Sequence, residues 1–255
     1  MEPFVDFSGK TIVVTGASSG IGQDTAVLLS QLGAKVVIVA RREEELNKTL
    51  SMMDANNKHF MFCQDLSIIE EIEELVNDIV RTTGPIDGIA YCAGVNGDVP
   101  IKLMNNERFE NIMRVNLSAF VEMVRCFSKK KNYNKGMRIV GVSSVAAACG
   151  GHLQMAYSAS KAGMNGAMRC MASELASKGI CVNTVAPAMI ETKMYNDYLS
   201  IVGDESDAYK ALLSRQYLGI GKTRDVANGI AFLLSSAARF ISGTCLAIDG
   251  GYTST

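Results

Sequence analysis

Residues 11 to 22 read TIVVTGASSGIG, and this stretch decides the fold. The run TIVVT (11–15) has the β-branched composition of a strand, and it leads without a break into a glycine-rich turn and then an apolar, helix-compatible segment. Glycines at 16, 20 and 22 let the chain turn tightly, let backbone approach a pyrophosphate closely, and leave helix N-terminal N–H groups aimed at its charge. The spacing is G-x-x-x-G-x-G, not the general G-x-G-x-x-G, so its position between a first strand and a first helix carries the reading as a dinucleotide-binding turn. Gly16, Ser18, Ser19, Gly20, Ile21 and Gly22 are the candidate cofactor-contacting residues of that turn.

Working outward, valine- and isoleucine-rich runs alternate with longer amphipathic stretches. Strands are predicted at 11–15, 35–40, 59–64, 87–93, 137–144, 180–187 and 245–250. Helices are predicted near 20–32, 42–54, 67–83, 106–131, 155–178 and 224–236, with Ser67 and Thr223 as capping residues. Strands without polar alternation imply burial on both faces. The βαβα order then implies a single-domain α/β fold over 1–255, Rossmann-type, with a doubly wound parallel seven-stranded sheet and helices on both faces. Ligands of such sheets bind at the carboxyl ends of the strands. Residues 188–222 are too long for an ordinary connection and read as a short helical lid, with surface decoration as the alternative.

Composition excludes several classes. A hydrophobic fraction of 48%, a charged fraction of 20% and only four prolines describe a compact globule without low-complexity sequence. The net charge of −1 with interleaved signs lacks the basic footprint of a nucleic-acid binder. The start MEPFVDFSGK is not a secretory signal, and no stretch is long enough to span a bilayer, so no membrane partner is expected. Seven scattered cysteines without a CxxC, and only His59 and His152, point to reduced core thiols in a cytoplasmic protein with no metal site.

Two further patterns point to chemistry. The second predicted strand ends in Ala40 followed by Arg41 and Arg42, with no carboxylate for a ribose 2′-hydroxyl. A forked guanidinium there suits a 2′-phosphate, so NADP(H) is expected over NAD(H), unless the arginines pair with Glu43, Glu44 and Glu45 on a solvated helix face. In MAYSASKAG (155–163), Tyr157 and Lys161 stand four apart and share one helical face. An ammonium near the phenol would lower its pKa and make a proton donor useful near neutral pH, whereas the bland alternative is a surface tyrosine lying on a lysine stem.

TGASSGIG, a strand ending in VSS, YSASK thirteen residues after Ser144, VAPAMIET and the terminal SGTCLAIDGGY occur in an order that resembles the short-chain dehydrogenase/reductases over essentially the whole chain. The resemblance implies that Tyr157 is the general acid or base and that Ser144 polarises the reacting oxygen. It implies that Lys161 lowers the tyrosine pKa and holds a ribose, and that Asn116 anchors a water linking the lysine to solvent. Asp65 and Leu66 match adenine contacts, Ala93 and Gly94 a ribose contact, and Thr192 a carboxamide contact with Pro187 and Ile190 beside it. Asp65 as a plain helix cap and Asn116 as a plain helix residue are the alternatives.

Two departures stand out. Tyr91 and Cys92 replace the usual Asn-Asn, which removes a tie between neighbouring strands, and Ala188 replaces the glycine after Pro187, where positive φ would be unwelcome. The resemblance is strongest to the 3-oxoacyl carrier-protein reductases, with Lys135 and Lys178 at the places of basic carrier-docking residues and a small-molecule or acyl-thioester carbonyl as substrate. Reduction of another ketone, or oxidation of a sugar-derived, polyol or steroid-like alcohol, is the alternative, and a non-catalytic dinucleotide-sensing scaffold a remote one. His152, Gln154 and Met155 are expected at the entrance, and the family resemblance implies a homotetramer.

Overall fold

A computed structural model describes residues 5–203 and 206–254. Seven strands form one parallel sheet: β1 (Thr11–Thr15), β2 (Lys35–Ala40), β3 (Phe60–Cys63), β4 (Ile86–Tyr91), β5 (Tyr133–Val142), β6 (Cys181–Pro187) and β7 (Cys245–Ile248). Their spatial order is β3-β2-β1-β4-β5-β6-β7. Successive residues of a strand point to opposite faces. Thus Val13, Ile89, Ile139 and Val182 pack under α3 (Ile72–Thr83), α5 (Ala119–Phe127) and α6 (Met155–Leu175). Ile12, Val14, Ile38 and Val185 pack instead under α1 (Gly20–Gln31), α2 (Glu43–Met52) and α9 (Thr223–Leu234). Each such side chain taken wholly out of water contributes about 1.5–3 kcal/mol, which is why the strands read as unbroken apolar runs.

Several local expectations are corrected. The helix expected over 106–131 is α4 (Asn106–Met113) and α5, joined by a π turn at Arg114–Ser118 that contains Asn116. Ser67 caps nothing; Asp65 Oδ1 accepts from its N–H at 2.9 Å, and a 3-10 turn, Ile69–Glu71, precedes α3. Thr223 is the first residue of α9, Lys222 is its cap residue, and Asp225 accepts from the Lys222 N–H at 2.8 Å. The thiols are free but not uniformly core: Cys126 is buried while Cys63, Cys170 and Cys245 are exposed. Edge strands and the outer faces of helices give an apolar run one wet side that the sequence does not announce.

The segment 188–222 is helical, with α7 (Lys193–Val202) and α8 (Asp207–Arg215). Its base is closed by an Ile190–Gly221 bridge and by Gln216, 3% exposed, whose Oε1 accepts from Met189 N at 3.0 Å and whose Nε2 donates to Met189 O at 3.0 Å. Ala188 needs no left-handed backbone: among described non-glycine residues only Leu153 has positive φ, at 67°.

Candidate active site

The strand order reverses between β1 and β4, and a crevice opens there beyond their carboxyl ends. It is a cavity of about 1080 Å3, bounded on one side by the glycine-rich turn and on the other by α7 and α8. Gly16, at φ 65°, lies so close to the β4 end that a Cβ would stand 2.8 Å from Ala93 backbone atoms. At Gly22 a Cβ would stand 2.3 Å from the Gly16 carbonyl oxygen. Only glycine permits either approach. Thr15 Oγ1 accepts from both Cys92 N and Ala93 N at 3.1 Å, so β1 and β4 remain tied without the asparagine the sequence lacks.

No side chain caps the start of α1, and no acid sits in its first turn. Its N–H groups and dipole therefore favour an anion in the crevice. Arg42 donates from Nη2 to Ser18 Oγ at 3.1 Å and Ser19 Oγ at 3.4 Å, which lays its guanidinium on the turn. Arg41, exposed, pairs with Asp65 at 3.6 Å. Burial raises the Asp65 carboxyl, but hydrogen bonds from Ser67 and the Arg41 charge outweigh it and leave the pKa below its ordinary value. Arg41, Arg42, Asp65, Leu66, Ala93, Gly94, Pro187, Ile190 and Thr192 all line the cavity, as do Ser18, Ser19, Gly20 and Ile21. An uncapped helix start, glycine backbone and two guanidiniums fit a phosphorylated dinucleotide.

Ser144, Tyr157 and Lys161 line the same crevice, and Asn116 lies behind it next to Gly94. Ser144 follows β5, and its Oγ accepts from Ala146 N at 3.1 Å, which leaves its own proton free to donate. Tyr157 and Lys161 lie one turn apart on α6, with the ammonium 5.6 Å from the ring centroid. Lys161 is 3% exposed and donates to Val142 O at 2.8 Å. Asn116, fully buried, clamps the Val95 peptide: Oδ1 accepts from Val95 N at 2.8 Å, and Nδ2 donates to Val95 O and to Ser160 Oγ, each at 3.0 Å.

The electrostatics differ from the spacing argument. Burial raises the Tyr157 phenol above its ordinary value, partly offset by the Ser144 hydroxyl, and Asp98 adds a smaller push upward. Burial also lowers the Lys161 ammonium to about 8. Both groups are buried in the crevice wall, so desolvation dominates both.

Asp98 is not singled out from sequence, and Tyr91 stands out there only as a departure from the family motif. Tyr91, fully buried, donates to Val115 O at 2.6 Å inside the π turn and meets Phe120 edge-on at 5.4 Å. Asp98 and Tyr198 line the cavity, as do His152 and Gln154, whereas Met155 is exposed and does not. Lys135 and Lys178 are exposed at the opposite end of the sheet: Lys135 is the third residue of β5, whose far end, Val142, reaches the cavity about 23 Å away at strand rise. On a single chain that pair does not rim the cavity.

Comparison with known proteins agrees with this geometry. Residues 10–200 match the family model described as short chain dehydrogenase. The chain is 34% identical over 248 residues to a 3-oxoacyl-[acyl-carrier-protein] reductase of Vibrio cholerae, covering 97% of this chain and 98% of that one. Its fold superposes with a TM-score of 0.89 on a dehydrogenase/reductase of Sinorhizobium meliloti, at 29% identity and 97% and 96% coverage. It superposes with a TM-score of 0.91 on a Beutenbergia cavernae protein provisionally assigned as an NAD(P)-dependent gluconate 5-dehydrogenase and solved with NADP at low occupancy, at 29% identity and 99% and 100% coverage.

Proposed function

The chain belongs to the short chain dehydrogenase family, and within it we propose an NADP(H)-preferring reductase whose substrate is a 3-oxoacyl thioester. The enzyme is an oxidoreductase of carbonyl and CH–OH groups that works with NAD(P). One observation carries the finer reading: Ser144, Tyr157 and Lys161 open into the same cavity as the glycine-rich turn on which Arg42 lies.

When bound, NADPH would supply the hydride. Reduction puts negative charge on the carbonyl oxygen. Ser144 would donate a hydrogen bond to that oxygen and hold it beside the phenol. Tyr157, kept protonated by its burial, would hand over its proton as the charge develops. Lys161 would hold the phenolate that remains, its ammonium fixed by Val142 O. Asn116 would fix the Val95 backbone behind the lysine. For cofactor choice, Arg42 on Ser18 and Ser19, with Arg41 beside it, supports recognition of a 2′-phosphate. The α7–α8 segment would act as a lid that excludes water.

The relatives' thioester chemistry and the apolar wall containing Met194, Tyr195 and Leu212 support an acyl substrate. Among the described residues no helix is long and apolar enough to cross a membrane. A cytoplasmic homotetramer is part of the proposal.

The test is absorbance-followed oxidation of NADPH and NADH against an acyl thioester, diketones, sugars and steroids. NADPH with the 3-oxoacyl thioester should give the highest kcat/KM. Faster turnover of a sugar or steroid, or equal use of NADH, would displace the corresponding half of the reading.

A further inference from the structure

Three buried side-chain atoms among the described residues lack a hydrogen-bond partner: Arg138 Nε, Ser158 Oγ and Asp98 Oδ1. Of these residues only Asp98 lines the cavity. Its other oxygen, Oδ2, accepts from Asn96 Nδ2 at 2.5 Å, and the Gln154 side chain also reaches the carboxylate. A buried acceptor left without a donor is destabilising, so a carboxylate held this way favours a partner that enters the cavity.

The segment that carries it is fixed from both sides. Three residues before Asp98, the Val95 peptide is clamped through its N–H and its carbonyl by Asn116, at 2.8 and 3.0 Å. One residue after it, Val99 N donates at 3.0 Å to the carbonyl of Leu153, the residue held at φ 67° just ahead of α6. Between them Gly97 runs flat against α4, where a Cβ would stand 2.1 Å from Ile112 Cδ1. The same elements that hold Tyr157 and Lys161 thus hold Asp98. Both Tyr157 and Tyr198, the latter on α7, feel its charge. It therefore stands near the phenol and near the wall of the cavity that α7 supplies.

We propose that Asp98 is a substrate-recognition residue that accepts a hydrogen bond from an alcohol O–H or amide N–H carried by the substrate beyond its reacting carbonyl. The proposal rests on the reductase reading and narrows its substrate class. A thioester whose thiol arm contains an amide supplies the donor, and so does a hydroxylated ketone. A ketone or thioester flanked only by hydrocarbon leaves the carboxylate unpaired, and a site built for a hydrogen bond discriminates strongly against an analogue that lacks it.

Two substrate pairs test this with NADPH present: an acetoacetyl thioester of N-acetylcysteamine against the S-butyl thioester, and an α-hydroxyketone against its deoxy ketone. The readout is the kcat/KM ratio within each pair, compared between wild type, Asp98→Leu and Asp98→Asn, which cancels the intrinsic reactivity of each carbonyl. Asp98→Leu should lower the ratio in at least one pair by about tenfold or more, the worth of a hydrogen bond to a charged group. NADPH fluorescence on binding should not change. Should Asp98→Leu fail to fold, the near-isosteric Asp98→Asn carries the comparison, with a smaller drop expected. A ratio that stays constant across the variants in both pairs, or turnover that falls equally on both members, overturns the proposal. An enzyme that reduces neither thioester yet shows the Asp98-dependent ratio on the ketones keeps this site and loses the thioester substrate. Thioester reduction with an Asp98-independent ratio does the reverse, and no turnover in either pair overturns both.

Discussion

Lys161 is charged in a place that disfavours charge. Its ammonium, 3% exposed, has a pKa lowered from 10.5 to about 8 by burial. Below about pH 8 the folded and unfolded chains both carry the proton, and the burial penalty is fully present. Between about pH 8 and 10.5 the unfolded chain binds more proton, so this group's contribution to stability rises with pH, by at most about 1.4 kcal/mol per unit. Above 10.5 the difference vanishes. Catalysis should run the other way, because reduction loses the ammonium as pH passes about 8. Denaturant titrations and NADPH-dependent rates from pH 7 to 10 should therefore diverge, and Lys161→Met should flatten the stability trend while leaving little activity. An unchanged stability slope in that variant would refute the burial argument. At Tyr157, substitution by Phe removes the proton donor while keeping the ring, so kcat should fall about 10²- to 10⁴-fold with NADPH binding retained. Arg42→Ala should reduce the NADPH-to-NADH kcat/KM ratio by about tenfold or more, with a smaller drop for Arg41→Ala, whose guanidinium is shared with Asp65. Equal ratios in wild type and Arg42→Ala would remove it from the phosphate site.

At the scale of elements, the π turn at Arg114–Ser118 is what turns Asn116 onto the Val95 peptide, and Tyr91 holds that turn through Val115 O. Tyr91→Phe removes one buried donor and should lower stability by about 1 kcal/mol, read as a shift in denaturant midpoint at constant slope. If it also lowers kcat in NADPH-dependent reduction, the turn positions Asn116 rather than merely packing against it. Sequence reading reaches the strand–turn–helix of Thr11–Gly22 and the Tyr157–Lys161 pair because both are local: their periodicity and spacing are written in consecutive residues. It does not reach the Tyr91–Val115 bond, the Arg42 reach to Ser18, or the fixing of Asp98 between Asn116 and Leu153. Those depend on segments 21 or more residues apart being brought together by the fold. The same limit explains the helix boundaries. A π turn is set by what its freed carbonyls and side chains meet across the crevice, and hydrophobic periodicity over 106–131 runs through it undisturbed.

The whole molecule is organised around a sheet in which β1 lies between β2 and β4, so Ile12 pairs with both Val36 and Gly88. The cavity draws on residues from Gly16 to Tyr252 and has no contribution that a short fragment could supply alone. A ligand that spans it should stabilise the folded state by mass action, and saturating NADPH should raise the thermal midpoint more than equimolar NADH. Light scattering tests the tetramer, with a monomer as the contrary result. The central position of β1 also constrains how the chain is made. During synthesis β1 can meet β2 early, but its other edge stays bare until Tyr91 has left the ribosome, and the crevice has no far wall until Pro187 and Thr192 follow. Non-local parallel pairing of this kind is slow, because long loops must close before any contact rewards them. The cofactor pocket is accordingly among the last parts of the molecule to exist, so a nucleotide can lock the finished fold but cannot guide the nascent one.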